Sequence, residues 1–183
     1  MHEQLARLLQ RSEPIGTFTT KWGDGTIDLL VADYLSAKLP PTELIMSVRA
    51  VLLRGQEVLV VSEPNGPYIL PGGRREAGET LLQTLQREIG EETGWAIDNV
   101  TLLGFRHLHH LTPKPADYPY QYPDFCQAIY TAQARQYTPE AKQFDEYVLD
   151  SYFLPIAEAQ ALALTPGEHY YLIAAQEQEV AVD

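Results

Sequence analysis

The stretch from Gly73 to Trp95, GRREAGETLLQTLQREIGEETGW, constrains this chain more than any other. Thr80 and Gln83 form a T-x-x-Q capping-box pattern, and Gly94 is placed to stop a helix. A helix over Thr80 to Thr93 is therefore predicted. At about 100° per residue, Leu82, Leu85 and Ile89 make one apolar stripe. Glu88, Glu91 and Glu92 fall within an arc of about 100° that abuts this stripe, and Glu92 overlaps it. Like charges at these spacings repel, and a half-buried carboxylate beside a core costs more still. One or more Mg2+ or Mn2+ ions would remove both penalties, because such ions take oxygen ligands and join carboxylates to phosphates. The bland alternative is a solvated acidic helix face.

Around this helix the pattern alternates between strands and helices. Leu5, Leu8 and Leu9 suggest a short amphipathic helix that ends near Ser12 to Pro14. Thr17 to Tyr34 reads as a hairpin turning at Gly23-Asp24-Gly25. Ser47 to Leu53 and Glu57 to Ser62 read as paired strands, and Tyr68 to Leu70 as a brief strand running into Pro71-Gly72-Gly73. After the helix come strands at Val100 to Leu108 and Phe125 to Ala134, separated by the loop Thr112 to Asp124 with its four prolines and three tyrosines. A late strand over Tyr147 to Leu154 leads to helices at Pro155 to Leu164 and Pro166 to Gln178. Mixed strands flanked by helices indicate an α/β sandwich. Residues 1–45 are expected to extend a main domain over 46–183 rather than to fold alone.

The Gly73 to Trp95 stretch resembles the Nudix box, G-x5-E-x7-R-E-U-x-E-E-x-G-U, where U is a bulky apolar residue. Gly73, Glu79, Arg87, Glu88, Ile89, Glu91, Glu92 and Gly94 fall in register, and Trp95 stands where an aliphatic residue is usual. Leu-Pro-Gly-Gly before the box is also typical of the family. The resemblance implies the Nudix α/β/α sandwich with a mixed sheet. It also implies hydrolysis of a pyrophosphate bond in a nucleoside diphosphate linked to another moiety, such as an ADP-ribose-like compound or a nucleoside triphosphate. It gives the carbonyl of Gly72 a metal-ligand role and Arg87 the role of orienting box glutamates. The general base stays open between Glu88 and an acid from a later loop. Glu146 is the best placed of those acids, with Glu140 and Asp150 as competitors.

Further candidates rest on residue type. His107 and His109 alternate along one strand face, where they would either touch phosphate or ribose or form a polar strand face; a zinc site is the weaker reading, since Zn2+ normally takes four ligands and nothing else in the sequence points to it. Tyr118 and Tyr120 would stack on a base or pack down as a cover. Trp22 and Tyr68 are further stacking candidates, better read as core or interface residues. Two rival functions are weaker. A non-catalytic Nudix-fold nucleotide sensor usually lacks box acids that are all present here, and an isoprenoid diphosphate isomerase wants a cysteine before the box. The single cysteine, Cys126, follows it.

The chain has 183 residues and a net charge of -12. That length suits one core. The charge argues against a nucleic-acid polymer as partner, though not against a small phosphorylated ligand bound through cations. One cysteine excludes an internal disulfide and fits a cytoplasmic location. Met1 to Arg11 does not read as a signal peptide, and no apolar run approaches the ~20 residues of a membrane span. The N-terminal segments would serve a homodimer or a closure over substrate equally well.

Overall fold

Strand β3, Ile45–Arg54, is the axis of the molecule. Its sequence is almost wholly apolar, as a strand covered on both faces requires, and only Met46, Arg49 and Arg54 escape burial. On one side β3 runs parallel to β8, Asp124–Tyr137. On the other side the sheet forks. Ser47, Val48 and Arg49 pair antiparallel with β6, Gly72–Arg74, whereas Leu53 and Arg54 pair with β4, Glu57–Glu63. The fork places the Gly72-Gly73 backbone against the first half of β3.

The structure, a computed structural model, describes residues 2–180 except 24, 65, 117, 119 and 144–149. Among these, one mixed nine-stranded sheet runs β1-β2-β7-β8-β3-β4-β5, with β6 on β3 and β9 on β4. Here β1 is Gly16–Trp22, β2 Ile27–Leu35, β5 Gly66–Tyr68, β7 Trp95–His110 and β9 Asp150–Pro155. Helices α1, Glu3–Leu9, and α2, Leu81–Thr93, cover one face of the sheet. Helices α3, Ile156–Ala159, and α4, Pro166–Val180, cover the other. The result is the expected α/β/α sandwich. Leu85 and Ile89 of α2 are 0% exposed against Val48, Ala50 and Leu52 of β3. Each such burial is worth about 1.5–3 kcal/mol, against roughly 0.2–0.5 kcal/mol for each like-charge pair along the helix. The apolar stripe therefore wins, and it holds the acidic face where the fold needs it.

The hairpin β1–β2 extends this same sheet, because β2 pairs antiparallel with β7 in the register Val31↔Leu108 and Asp33↔Arg106. That second pair is a buried salt bridge. Arg106 Nε donates to Asp33 Oδ1 at 2.7 Å and Nη2 to Oδ2 at 3.2 Å. The hydroxyl of Tyr171, from α4, donates to the Phe105 carbonyl at 2.9 Å and accepts the Tyr34 N–H at 3.2 Å. A Cβ at Gly167 would lie 2.0 Å from Asp33 Oδ2, so glycine is needed where α4 starts. Burial raises the Asp33 carboxyl; it works against the Arg106 charge too, but Asp33 outweighs it and Arg106 keeps its proton.

Several boundaries differ from the sequence expectation. The strand expected over Tyr68 to Leu70 ends at Tyr68. Ile69 and Leu70 are buried as core residues instead, and the Leu70 carbonyl accepts from Arg49 Nη1 at 2.8 Å. Strand β7 begins at Trp95 rather than Val100, and bulges interrupt its pairing with β8. The first C-terminal helix shrinks to Ile156–Ala159. The turn residue Asp24 and the start of the late strand, residues 147–149, lie outside the described residues. Among those described, no helix is long and apolar enough to cross a membrane.

Candidate active site

Two glycines make room for the site. Gly72 has φ +132°, and a Cβ there would meet the Val48 carbonyl oxygen at 2.3 Å. A Cβ on Gly73 would lie 2.2 Å from Glu88 Oε2. Only glycine lets the β6 backbone pass this close to β3 on one side and to the helix carboxylates on the other. The helix then starts as its sequence dictates. Thr80 Oγ1 accepts the Gln83 N–H at 3.2 Å, and Gln83 Oε1 accepts the Thr80 N–H at 2.9 Å. It stops at Gly94, which is left-handed with φ 77°.

Arg87 gathers the acids. Its Nε and Nη2 grip Glu79 at 2.7 and 3.0 Å. Its Nη1 donates to Glu88 Oε1 at 2.9 Å and to Glu91 Oε2 at 3.1 Å, and its Nη2 also donates to the Arg74 carbonyl at 3.0 Å. Every N–H of the guanidinium is thereby used, which fixes three carboxylates by one planar group. Glu92 adds a fourth, with Oε2 accepting the Gly72 N–H at 2.8 Å. The environments push these acids apart. Bonds from Arg87 and Thr84 hold Glu79 down to about 2, whereas burial raises Glu88 despite its single bond to Arg87.

The donor set fits a hard divalent cation. Glu88, Glu91 and Glu92 offer only oxygen ligands, Glu88 and Glu92 lie against the Gly72-Gly73 backbone while Arg87 holds Glu91 beside Glu88, and the missing Cβ of Gly73 leaves the face of Glu88 clear. Glu146 lies outside the described residues. The chain just before it is tied to the box, since Gln143 Nε2 donates to Glu91 Oε1 and its backbone N–H to the Glu91 carbonyl, at 2.9 and 2.8 Å.

Beside Gly73, on the sheet face opposite the α2 core, opens a cleft of about 210 Å3. Trp22, Tyr118, Tyr120 and Phe125 give it aromatic walls, and Arg49 and Arg74 bring positive charge. Trp22 and Phe125 pack with ring centroids 5.5 Å apart, and Tyr118 meets Tyr120 edge-on at 5.3 Å. The Arg74 guanidinium sits 4.5 Å from the Tyr120 ring centroid and donates to the Tyr120 hydroxyl. Tyr118 and Tyr120 line the cleft, and Trp22, read as core, joins them. Tyr68 packs into the core.

His107 and His109 are not brought to this cleft. Leu108 pairs with Phe125 on the cleft face, so the flanking His107 and His109 project from the opposite face, where both contact Asp124. His110 is the histidine on the cleft side, with Nε2 2.9 Å from the Tyr118 hydroxyl. Sequence reasoning also passed over Arg49. A lone charge inside an otherwise apolar strand was the available signal. Trp95 is accounted for by neighbours, packing against Tyr137 and Phe153 at 5.1 and 5.3 Å. A larger open hollow, about 840 Å3 between α1 and residues 35–43, shares no residue with the box or the cleft.

A mixed sheet between helix layers, with a glycine-backed carboxylate helix at a sheet fork, defines the class of fold, and the family comparison gives it a name. The NUDIX domain model matches residues 43–176. The chain belongs to the Nudix hydrolase family. Among curated relatives, it is 46% identical over 61 residues to the mouse (Mus musculus) 8-oxo-dGDP phosphatase NUDT18, a match covering 31% of this chain and 19% of that protein. It is 42% identical over 65 residues to putative nudix hydrolase 1 of Caenorhabditis elegans, covering 31% of this chain and 18% of the relative. The matched stretch is thus under a fifth of either relative's length. Among solved structures, the pyrophosphohydrolase BsRppH of Bacillus subtilis superposes with TM-score 0.57 at 17% identity, covering 90% of this chain and 97% of that one. The NUDIX domain of Shewanella oneidensis NrtR, complexed with ADP ribose, gives 0.53 at 22% identity over 78% and 95%. These two show likeness of fold.

Proposed function

We propose that the protein is a metal-dependent hydrolase that cleaves a pyrophosphate bond in a nucleoside diphosphate derivative. The observation that carries this reading is that Glu88 and Glu92 lie against Gly72-Gly73, that Arg87 ties Glu91 to Glu88, and that Gly73 also lines an aromatic, arginine-bearing cleft. Glu88, Glu91, Glu92 and the Gly72 carbonyl would hold Mg2+ or Mn2+. When bound, such an ion polarises phosphate oxygens and lowers the pKa of water. The protein's own groups do the rest. Arg87 keeps Glu88 and Glu91 in place without touching substrate. Arg49 and Arg74 offset phosphate charge, and Trp22, Tyr118 and Tyr120 offer faces on which a base stacks, worth about 1–3 kcal/mol each by alanine substitution. The proton of the attacking water passes to Glu88 or to Glu146.

The naming of one relative as an 8-oxo-dGDP phosphatase puts oxidised nucleoside diphosphates beside ADP-ribose, nucleoside triphosphates and dinucleoside polyphosphates as the substrates to assay. Turnover with Mg2+ or Mn2+ that vanishes in a Glu88→Gln, Glu92→Gln double variant is the expected result. Nucleotide binding in a thermal-shift assay without turnover of any compound would overturn it and identify a nucleotide sensor. Glu146→Gln and Glu88→Gln single variants, read by kcat at saturating metal, separate the two candidate bases.

A further inference from the structure

The sheet face opposite the cleft carries a side-chain cluster that the box chemistry does not use. His107 Nε2 lies 2.9 Å and His109 Nδ1 2.8 Å from the same oxygen, Asp124 Oδ1. The ligand atoms of the three residues all lie within 4.8 Å of one another. His107 and His109 alternate along β7, and Asp124 opens β8 directly across from His109. All three therefore stand on paired strands rather than on a loop. His107 and Asp124 are 6% and 3% exposed, whereas the His109 side chain keeps 34% of its surface, so the cluster is closed on one side and open on the other.

We propose that His107, His109 and Asp124 form a site for a transition-metal ion of the Zn2+ type, separate from the oxygen-only box site. Two imidazoles and one carboxylate suit Zn2+, whereas Mg2+ prefers an oxygen shell. The dimensions allow it. Metal–ligand bonds of about 2.0–2.2 Å in tetrahedral geometry set neighbouring ligand atoms about 3.3–3.5 Å apart. The two contacts to Asp124, 2.8 and 2.9 Å, would spread by about half an ångström, and the two ring nitrogens, within 4.8 Å of each other, would settle to the same spacing. Each imidazole would bind the ion through the ring nitrogen that faces Asp124 and carry its proton on the other ring nitrogen, and water takes the fourth position on the His109 side. The site also lies at the root of the tyrosine-bearing loop, because His109↔Asp124 is the last pair of the β7–β8 ladder and His110 N–H donates to the Pro123 carbonyl at 2.9 Å. An ion there fastens together the two strand ends from which Tyr118 and Tyr120 are hung.

The test uses the full chain, stripped with a chelator and then titrated with Zn2+ in competition with a chromophoric chelator. One equivalent of Zn2+ is expected to bind tightly, and to do so equally in Glu91→Gln, which lies in the box. Replacing His109 by Gln retains a hydrogen-bond donor for Asp124 but removes the imidazole. It is expected to weaken Zn2+ by at least about tenfold, since even outer-sphere partners of a ligand are worth that much. Co2+ in place of Zn2+ should give paramagnetically shifted imidazole N–H resonances that disappear in His109→Gln. Circular dichroism confirms that the variant is folded. Zn2+ affinity unchanged in His109→Gln, or Co2+ binding without shifted imidazole signals, would overturn the proposal and leave a hydrogen-bonded His-Asp-His network only.

Discussion

At the scale of single residues, the site depends on an absence of atoms as much as on their presence. Gly73→Ala would set a methyl group 2.2 Å from Glu88 Oε2 while leaving every charged group in the sequence intact. The carboxylate must swing aside, and a displacement of about 1 Å at a reacting centre costs on the order of a hundredfold. We expect kcat to fall by about that factor with the melting temperature changed far less, and comparing the two measurements checks it. Glu79 gives a second residue-level test, in acid. Its folded value is held to about 2, below the ordinary 4.5, chiefly by Arg87. A depressed carboxyl contributes stability that is present above its unfolded value and lost as pH falls through the folded one. Urea midpoints measured from about pH 5 down to about pH 2 should decline, and Glu79→Gln should flatten that decline. An identical slope in the variant would refute the assignment. These residues were legible beforehand because their relations are local: Arg87 to Glu88 and Glu91 is a matter of helix geometry.

At the scale of elements, legibility tracked how local the determining contacts are. Helix α2 was readable to within a residue, because its capping box and left-handed glycine stop are written in neighbouring positions. The β1–β2 hairpin was readable for the same reason. The end of β5 was not, because Ile69 and Leu70 leave the ladder to fill a core shared with α3 and α4, which lie far away in sequence. The face chosen by His107 and His109 was also hidden. Their alternation is visible in the sequence, but which side of the sheet it selects is fixed by the Leu108↔Phe125 pairing. The cleft lies beyond sequence reach altogether, since Trp22, Arg49 and Phe125 come from β1, β3 and β8 and meet only when the sheet is assembled. Where β2, β7 and α4 meet, Asp33→Asn would leave the Arg106 charge without its partner. Breaking a buried pair costs about 3–5 kcal/mol, and each kcal/mol is worth about 2–4 °C in a chain of this size. We expect the melting temperature to fall by roughly 10 °C. A change of a degree or two would show that the pair does not bind these elements together.

At the scale of the whole molecule, the sheet divides the labour between its faces. One face seats α2 and its carboxylates through Leu85 and Ile89. The other carries the aromatic cleft, and the Gly72-Gly73 backbone at the fork in β3 lets the two meet. The family model begins at residue 43, so Trp22 reaches the cleft from outside the stretch that defines the family. Under the proposed function, Trp22 gives the β1–β2 hairpin a hand in ligand choice, and redrawing its tip would retune that choice without disturbing a single box carboxylate. For anyone reshaping the cleft, one place to cut is about fifty residues upstream of Gly73, in a segment that looks at first sight like an appendage.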